Sequence, residues 1–390
     1  MLKLPIYLDY NATTPCDPRV VEAMLPYFTE NFGNAASSSH YFGWQAAEAV
    51  TFAREQIAKL IGAEPNEIVF TSGATESDNL ALKGVLETFA GKGNHIITSN
   101  IEHKAVLDTC KHLEKQGAEI TYLNVKSDGL IDLDELKAAF RPTTILVAIM
   151  YANNEIGTIM PMKEISAIAK EKGVFVFTDV TQAVGKIPVD VNKDGIDLMA
   201  FSSHKIYGPK GVGALYVRRK DPRIKLTAQI DGGGHERGMR SGTLNVPGIV
   251  GFGKACDICM NEMKEADQKL RMMRDKLEKA LLNIDESYLN GSKENRLPHV
   301  ANIGFKYVNG DALIGGLRNI AVSSTSACSS ASMEPSHVLK AIGLSDEQVN
   351  SSLRFSLGRF TTEEEIDYAI EQVTNTIKNL REFSAPTLKK

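Results

Sequence analysis

Short, β-branched apolar runs alternate with helical patterns along the first 220 residues, and this alternation constrains the fold more than any other feature. The runs are EIVFT (67–71), HIITS (95–99), EITYLN (119–124), TILVAIMY (144–151), VFVFTDV (174–180), IDLMAFS (196–202) and GALYVRR (213–219). Strands separated by helices need crossover connections, so the pattern predicts an α/β fold with a mostly parallel seven-stranded sheet and helices on both faces. The linker between the last two runs, SHKIYGPKGV, is too short for a helical crossover. The last strand is therefore expected to be antiparallel to its neighbour.

The pattern changes after the glycine-rich stretch DGGGHERGMRSGT (231–243). A long amphipathic helix follows, and then short strands and helices lead to a final helix with a capping-box start at Thr362 and Glu365. A chain of 390 residues also exceeds the usual size of a single core. We therefore expect a large domain over 15–255 and a smaller α+β domain formed by 1–14 and 256–390.

Charge and cysteine content exclude several classes of protein. The net charge is −4, and no block of Lys and Arg is present, which disfavours direct binding to nucleic acid. No apolar run approaches the length of a membrane span, and the N-terminus lacks the sustained apolar region of a secretory signal. Five scattered cysteines argue against a disulfide framework. A cytoplasmic protein without a membrane partner is the resulting expectation.

The pair of cysteines in CDIC, Cys256 and Cys259, permits a zinc-binding or redox interpretation. No second pair accompanies it, however, and the surrounding residues have helical spacing. Two buried thiols one helical turn apart are the favoured interpretation, because free cysteine packs as a small hydrophobic residue.

Polar residues follow several of the predicted strands at their carboxyl ends, which is where open α/β sheets bind ligands. The first strand leads into TSGATESDN, where Ala74 and Thr75 start a helix that could hold a phosphate group. The residues that follow later strands are His103, Asn154, Asp179, Gln182, His204 and Lys205. Each of them alone could be an ordinary polar loop residue.

Taken together, these residues match the requirements of pyridoxal phosphate. Lys205 could form the Schiff base, Asp179 could pair with the pyridine nitrogen, and a helix start could hold the phosphate. The sequence therefore predicts a pyridoxal-phosphate enzyme.

The sequence resembles cysteine desulfurases of the NifS/IscS type, which belong to the class V aminotransferase family and adopt the PLP-dependent transferase fold type I. The resemblance covers nearly the whole chain, and its motifs occur in family order. They are YLDYNATTP, IVFTSGATESDNLA, EHKAV, NNEIG, DVTQAVGK, SHKIYGPKGVGALY, GGGHERGMRSGT, SSTSAC and RFSLGRFTTEEEID.

This resemblance implies a homodimer that uses pyridoxal 5′-phosphate to release sulfur from L-cysteine, leaving L-alanine and a persulfide on Cys328. The catalytic residues would be Cys328, Lys205 and His103, with His103 stacked on the cofactor ring. The cofactor-binding residues would be Ala74, Thr75, His103, Asn154, Asp179, Gln182, Ser202, Ser203, His204, Lys205 and Thr243, the last from the partner subunit. The residues that bind substrate would be Asn34, Asn154 and Arg354.

The resemblance also implies a protein that accepts the sulfur, either an iron–sulfur scaffold protein or another acceptor such as one used in tRNA thiolation. Cys328 lies in SSTSACSSAS (323–332), a run of small residues that would suit a loop carrying sulfur to the acceptor, and it could transiently ligate an iron–sulfur cluster there. Four residues depart from the family pattern: Thr325 replaces a glycine, Ser203 adds a hydroxyl beside Lys205, Ala35 replaces a proline, and Tyr151 lies at or near a position often held by Trp or His. Relatives that serve an iron–sulfur scaffold protein often extend further and dock through that tail, whereas this chain ends soon after its last helix. The resemblance therefore supports the release of sulfur from cysteine more strongly than its delivery to a scaffold.

Three alternatives share part of this pattern. A selenocysteine lyase would have the same cofactor site but need not depend on the loop thiol. A non-catalytic scaffold for iron–sulfur assembly would need no cofactor. An ordinary aminotransferase would turn over keto acids without a mobile cysteine.

Overall fold

The computed structural model of the protein describes residues 2–324 and 335–384. Its helices are α1 (Pro18–Met24), α2 (Pro26–Thr29), α3 (Tyr41–Ile61), α4 (Ala74–Thr88), α5 (Lys104–Glu114), α6 (Leu133–Ala139), α7 (Met162–Glu171), α8 (Val246–Leu282), α9 (Gly310–Gly316), α10 (His337–Ala341), α11 (Asp346–Asn350) and α12 (Glu363–Ser384). Its strands are β1 (Ile6–Tyr7), β2 (Ile68–Thr71), β3 (His95–Ser99), β4 (Glu119–Leu123), β5 (Thr144–Ala148), β6 (Phe175–Asp179), β7 (Leu198–Ser202), β8 (Gly213–Val217), β9 (Ser287–Leu289), β10 (Val300–Phe305), β11 (Ile320–Ala321), β12 (Ser323–Ser324) and β13 (Ser352–Ser356).

The predicted sheet is present. All seven apolar runs form one sheet in the order β2-β8-β7-β6-β5-β3-β4. Strands β7, β6, β5, β3 and β4 pair in parallel, whereas β8 is antiparallel to both β7 and β2. The prediction that the last strand reverses direction is therefore confirmed.

Both faces of this sheet are buried. Along β2, Val69 packs into one apolar cluster with residues of α4, whereas Phe70 packs into another with residues of α3, α7 and α8. Adjacent residues of a strand point to opposite faces, so burial of both means that helices cover both faces. Helix α3 ends at Gly62, whose φ of 70° gives the left-handed cap that favours glycine.

A second layer forms beside the large sheet. Strands β12, β13, β10 and β9 make a four-stranded antiparallel sheet, and β1 pairs in parallel with β11. A separate apolar cluster joins this sheet to α12 and to the second half of α8. The first half of α8 packs into the core of the large sheet. The predicted boundary at 255/256 thus falls inside one continuous helix, and the division into domains stays a prediction.

Two local predictions are confirmed. In the capping box of α12, the Thr362 N–H donates to Glu365 Oε2 at 2.9 Å and the Glu365 N–H donates to Thr362 Oγ1 at 3.2 Å. Cys256 and Cys259 are both buried in α8. Within residues 2–324 and 335–384, no cluster of three metal-binding side chains occurs, and no helix is long and apolar enough to cross a membrane.

The N-terminal segment connects the two layers and passes over the carboxyl end of β7. Thr14 N–H donates to the carbonyl of His204 at 3.0 Å, and Asp17 N–H donates to the carbonyl of Tyr207 at 2.9 Å. Asp9 also bridges to Ser356 of β13. These contacts place the N-terminal segment, which is almost two hundred residues from His204 in sequence, against the carboxyl edge of the large sheet. This is the edge at which the polar site residues were predicted to lie.

Candidate active site

A cavity of about 850 Å³ opens at the carboxyl ends of the parallel strands. Its walls come from this edge of the large sheet, from the N-terminal segment and from β12 and β13. The predicted site residues that line it are Ala74, Thr75, His103, Asn154, Asp179, Gln182, Ser202, His204, Lys205 and Arg354. The structure therefore brings together most of the residues that the sequence singled out.

The first turn of α4 forms one wall of the cavity. No side chain caps this end of the helix, so its first N–H groups, at Ala74 and Thr75, remain open to the cavity. Strand β8 begins close by, and a Cβ atom on Gly213 would lie 2.6 Å from the Cα of Gly73. Unsatisfied N–H groups and the helix dipole favour an anion, so this wall fits the phosphate of pyridoxal phosphate.

Lys205 enters the cavity from a short 3₁₀ turn that follows β7. Its Nζ donates to the carbonyl oxygens of Asn11 and Ala12 at 2.5 and 2.7 Å. Its neighbour His204 places Nδ1 3.1 Å from Thr13 Oγ1. Burial, with the charge of Lys205 as a second cause, lowers the pKa of His204 to about 4, so this imidazole is neutral at physiological pH.

Asp179 and Gln182 reach the cavity from the end of β6. The Oδ1 of Asp179 accepts the N–H of Thr181 at 2.8 Å, which holds the carboxylate in place. Gln182 donates through Nε2 to the carbonyl of Asn11 at 3.0 Å and accepts a 2.8 Å hydrogen bond from Lys186 at Oε1. A carboxylate and an amide donor thus face the cavity from one strand end, which suits the pyridine nitrogen and phenolic oxygen of the same cofactor.

His103 forms the N-cap of α5, and its Nδ1 accepts the N–H of Ala105 at 3.2 Å. In the neutral ring the proton is therefore on Nε2. The ring is accessible to solvent through the cavity, yet its deep position lowers its pKa, mainly by desolvation, while Asp179 opposes this shift. The lowered pKa favours the neutral imidazole, which is the form that can act as a base.

Glu102 anchors the loop that carries His103. It is buried, and its carboxylate accepts the hydroxyl of Ser99 at 2.6 Å and the N–H of Met150 at 3.0 Å. Burial raises the pKa of Glu102 to about 8 against the effect of these hydrogen bonds. The contacts tie the ends of β3 and β5 together directly below His103.

Arg354 extends into the cavity from β13 in the second layer. Its Nη2 donates to Asp9 Oδ1 at 2.6 Å, and its Nη1 donates to the carbonyl of Asn154 at 3.0 Å. Its buried Nε has no hydrogen-bond partner among the described residues. A guanidinium held in this way can bind a carboxylate, because its N–H groups form a planar fork.

Four predicted site residues are not part of this cavity as described. Ser203 is fully buried, and its Oγ has no partner among the described residues, so its hydroxyl does not face Lys205 across the cavity. Thr243 and Asn34 are exposed and do not line the cavity. Cys328 lies outside the described residues, and so does Thr325. The roles of these residues stay predictions.

Sequence reasoning missed Asn11. Its Nδ2 donates to the carbonyl of Asn154 at 2.9 Å, its Oδ1 lies 2.8 Å from His299 Nε2, and its carbonyl accepts from Lys205 and Gln182. No local pattern marks this residue, because each of these contacts is long-range. Lys186 was also missed, because its contact with Gln182 depends on a turn with a left-handed Gly185 that the sequence pattern does not indicate.

Comparisons with known proteins agree with this geometry. A family model described as aminotransferase class V matches residues 6–369. The cysteine desulfurases IscS of Proteus mirabilis and of Escherichia coli O139:H28 are 59% and 58% identical to this chain, each over 98% of the chain and 95% of the relative. A solved NifS-like protein superposes with a TM-score of 0.90 at 40% identity, covering 96% of this chain and 100% of that one. A structure of SspA in complex with cysteine has a TM-score of 0.81 at 39% identity, covering 91% and 99%.

Proposed function

Because this chain belongs to the class V aminotransferase family, among the cysteine desulfurases of the NifS/IscS type, we propose that it converts L-cysteine to L-alanine with the help of pyridoxal 5′-phosphate. The sulfur atom passes to Cys328. The thiol of Cys328 gains one sulfur and becomes a persulfide, while cysteine loses that sulfur and becomes alanine, so atoms and electrons balance.

One observation carries the proposal: a lysine, a strand-end carboxylate, an amide donor, an imidazole and an uncapped helix start all face one cavity. The lysine is Lys205, the carboxylate is Asp179, the amide belongs to Gln182 and the imidazole to His103. When bound, pyridoxal phosphate supplies an electron sink for the carbon atom next to the amino group. The first turn of α4 binds its phosphate, with Ser202 and His204 nearby.

The chain's own residues then hold the cofactor and move protons. The carboxylate of Asp179 keeps the pyridine nitrogen protonated, because an anion at that position favours the charged ring. The Nε2 of His103 exchanges a proton at the reacting carbon. The Nζ of Lys205 would hold the cofactor by a covalent bond.

Arg354 binds the substrate carboxylate, and Asn154 lies beside it in the cavity. The pairing of Arg354 with Asp9 and with the carbonyl of Asn154 fixes the guanidinium before substrate enters. Such preorganisation lowers the entropy lost on binding. The related protein SspA was solved in complex with cysteine, which supports cysteine as the substrate of this chain as well.

A homodimer is the second part of the proposal. Large apolar side chains of the N-terminal helices and their connecting loop are exposed on the single chain, and apolar surface of this extent marks an interaction site. They are Leu25, Phe28, Phe32, Tyr41, Phe42, Trp44 and Phe52. A second copy would cover them and could bring the exposed Thr243 to the phosphate site.

The sulfur acceptor completes the proposal. An iron–sulfur scaffold protein or another acceptor receives the persulfide sulfur, and a cluster ligand role for Cys328 would arise in that complex. Cytoplasmic localisation also stays a prediction.

The decisive experiment measures L-alanine and enzyme-bound persulfide together from L-cysteine, with the purified protein loaded with pyridoxal phosphate. Equal molar amounts of both in a single turnover without reductant are expected. A protein that takes up no pyridoxal phosphate would contradict the proposal and favour a non-catalytic scaffold. Strong preference for selenocysteine, with no persulfide from cysteine, would favour a selenocysteine lyase.

A further inference from the structure

A second cavity, of about 30 Å³, is lined by Lys186, Cys259 and His299 among others. Lys186 is absent from the lining of the active-site cavity, but its Nζ donates to the Oε1 of Gln182 at 2.8 Å. Gln182 itself lines the active-site cavity. This lysine therefore reaches the active site through one intermediary side chain.

We propose that Lys186 is a positioning residue that fixes the orientation of the Gln182 side-chain amide, so that an N–H of Gln182 and not its oxygen faces the phenolic oxygen of the cofactor. The inference rests on the proposed function, because it assumes that pyridoxal phosphate occupies the cavity.

The two neighbours of the Gln182 amide require opposite atoms. The carbonyl of Asn11 can only accept a hydrogen bond, so it requires the NH₂ group at Nε2, which lies 3.0 Å away. The ammonium group of Lys186 has donors and no acceptor, so it requires the oxygen at Oε1. A reversed amide would place two oxygens against each other at Asn11 and two nitrogens against each other at Lys186. The observed orientation uses one of the two hydrogens on Nε2 and leaves the other for a ligand in the cavity.

Lys186 orients the Gln182 amide more constantly than Asn11 does, because the carbonyl of Asn11 is shared with a second donor. The carbonyl of Asn11 also accepts from Lys205, whose amine must leave it to bind the cofactor. The amine of Lys186, in contrast, donates to Gln182 and to no other side chain of residues 2–324 and 335–384. Its donor therefore stays on Oε1 whatever Lys205 does.

The local backbone explains why the lysine returns to Gln182. The N–H groups of Ala183 and Ile187 bond to the carbonyls of Val180 and Ala183, three and four residues earlier, so residues 180–187 fold into successive turns that return Lys186 to Gln182. Gly185 has a φ of 70°, and a Cβ atom there would lie 2.9 Å from Cys259 Sγ, so α8 packs tightly against this turn.

The charged groups around Lys186 do not alter the argument. Burial lowers the pKa of Lys186 well below its ordinary value, Lys205 and Arg354 lower it further, and Cys259 acts in the opposite direction. Both the ammonium and the neutral amine carry N–H donors, so the contact with Oε1 is available in either state. A neutral amine can also accept a hydrogen bond, but the carbonyl of Asn11 cannot donate one and therefore still excludes the reversed amide.

The test is the pH titration of the absorbance of bound pyridoxal phosphate in the full-length protein, with Lys186→Met compared with wild type. Methionine has similar length and no N–H donor. A donor on the phenolic oxygen stabilises the form in which that oxygen carries full negative charge, so its misplacement is expected to raise the titration midpoint by about one pH unit. Lys193→Met, which removes an exposed lysine nearby, should leave the midpoint unchanged.

A double-mutant cycle distinguishes positioning from a structural role. Gln182→Met should raise the midpoint at least as much as Lys186→Met, and the second substitution should then add no further shift. Equal midpoints in wild type and Lys186→Met, or additive shifts in the double variant, overturn the inference. If Lys186→Met cannot be folded, Lys186→Leu is measured in the same way. If both lose the cofactor while Gln182→Met retains it, the lysine acts on more than Gln182 and the inference is also overturned. A wild-type protein that binds no cofactor contradicts the proposed function instead.

Discussion

The hydroxyl of Ser336 donates a 2.5 Å hydrogen bond to Oε2 of Glu155, and both residues are buried. Glu155 follows Asn154 directly in the loop after β5, and Ser336 is the N-cap of α10, where its Oγ accepts the N–H of Leu339 at 3.1 Å. The bond therefore joins the loop that lines the active-site cavity to the helix that begins soon after the segment containing Cys328.

Ser336→Ala should lower the free energy of unfolding by about 2 kcal/mol, because it removes the cap and also leaves a buried carboxylate oxygen without its donor. Ser345→Ala is the matched control, since Ser345 caps α11 in a similar way but is exposed. It should cost only about 1 kcal/mol. Urea unfolding of the apo proteins measures both values, and equal losses would show that the Glu155 contact contributes nothing.

Lys205→Ala should abolish both alanine production and the covalent attachment of pyridoxal phosphate, because it removes the amine that is proposed to hold the cofactor. Borohydride reduction followed by mass spectrometry detects the attachment. Lys210→Ala serves as the control, since Lys210 lines the same cavity and should leave the adduct on Lys205 intact. An adduct of unchanged yield in Lys205→Ala would refute the assignment.

Cys328→Ala should prevent persulfide formation from cysteine while the cofactor absorbance remains that of wild type. The reason is that the thiolate accepts the sulfur but does not hold the cofactor. Cys16→Ala removes a free and partly exposed thiol and is expected to react normally. Sulfide production at the wild-type rate by Cys328→Ala would contradict the proposed role.

Arg354→Lys should raise KM for L-cysteine about tenfold or more, because a lysine offers one compact charge in place of a planar fork. Cofactor absorbance should not change. Arg271→Lys, which alters a partly exposed ion pair with Asp267 on α8, is expected to leave KM unaltered. Steady-state kinetics over a range of cysteine concentrations measure KM for each variant. An unchanged KM in Arg354→Lys would mean that another residue binds the substrate carboxylate.

Glu102 should make stability depend on pH. Its pKa is raised to about 8 by burial, whereas a glutamate in the unfolded chain titrates near 4.3. Between these values the folded protein retains a proton that the unfolded chain releases, so stability falls as the pH rises through this window. Relative to Glu102→Gln, the wild type should lose about 3.5 kcal/mol of unfolding free energy between pH 5 and pH 8.

Glu22→Gln, at an exposed position of α1, should follow the wild-type pH profile. Urea unfolding at several pH values provides the comparison. Parallel profiles for wild type and Glu102→Gln would mean that the carboxyl group does not retain its proton in the folded state.

Most of the large sheet could be predicted because its information is local. Each apolar run carries its own signal, and the short linker after β7 was enough to predict the reversal of β8. The polar residues at strand ends could also be grouped, since parallel strands place their carboxyl ends on one edge. The predicted boundary at 255/256 shows the limit of this reasoning, because the helical pattern of α8 continues through it while its packing partners change.

The sequence by itself therefore determined the elements along the chain, the mostly parallel character of the large sheet, and the set of side chains at its edge. The tertiary structure decided what each of those side chains touches. Asn11 lies under Lys205 and Gln182 only because the N-terminal segment crosses the sheet edge, and the high pKa of Glu102 exists only because other elements exclude water from it. Local patterns encode periodicity, whereas hydrogen-bond partners and desolvation depend on residues that are distant in sequence and meet only in the folded chain.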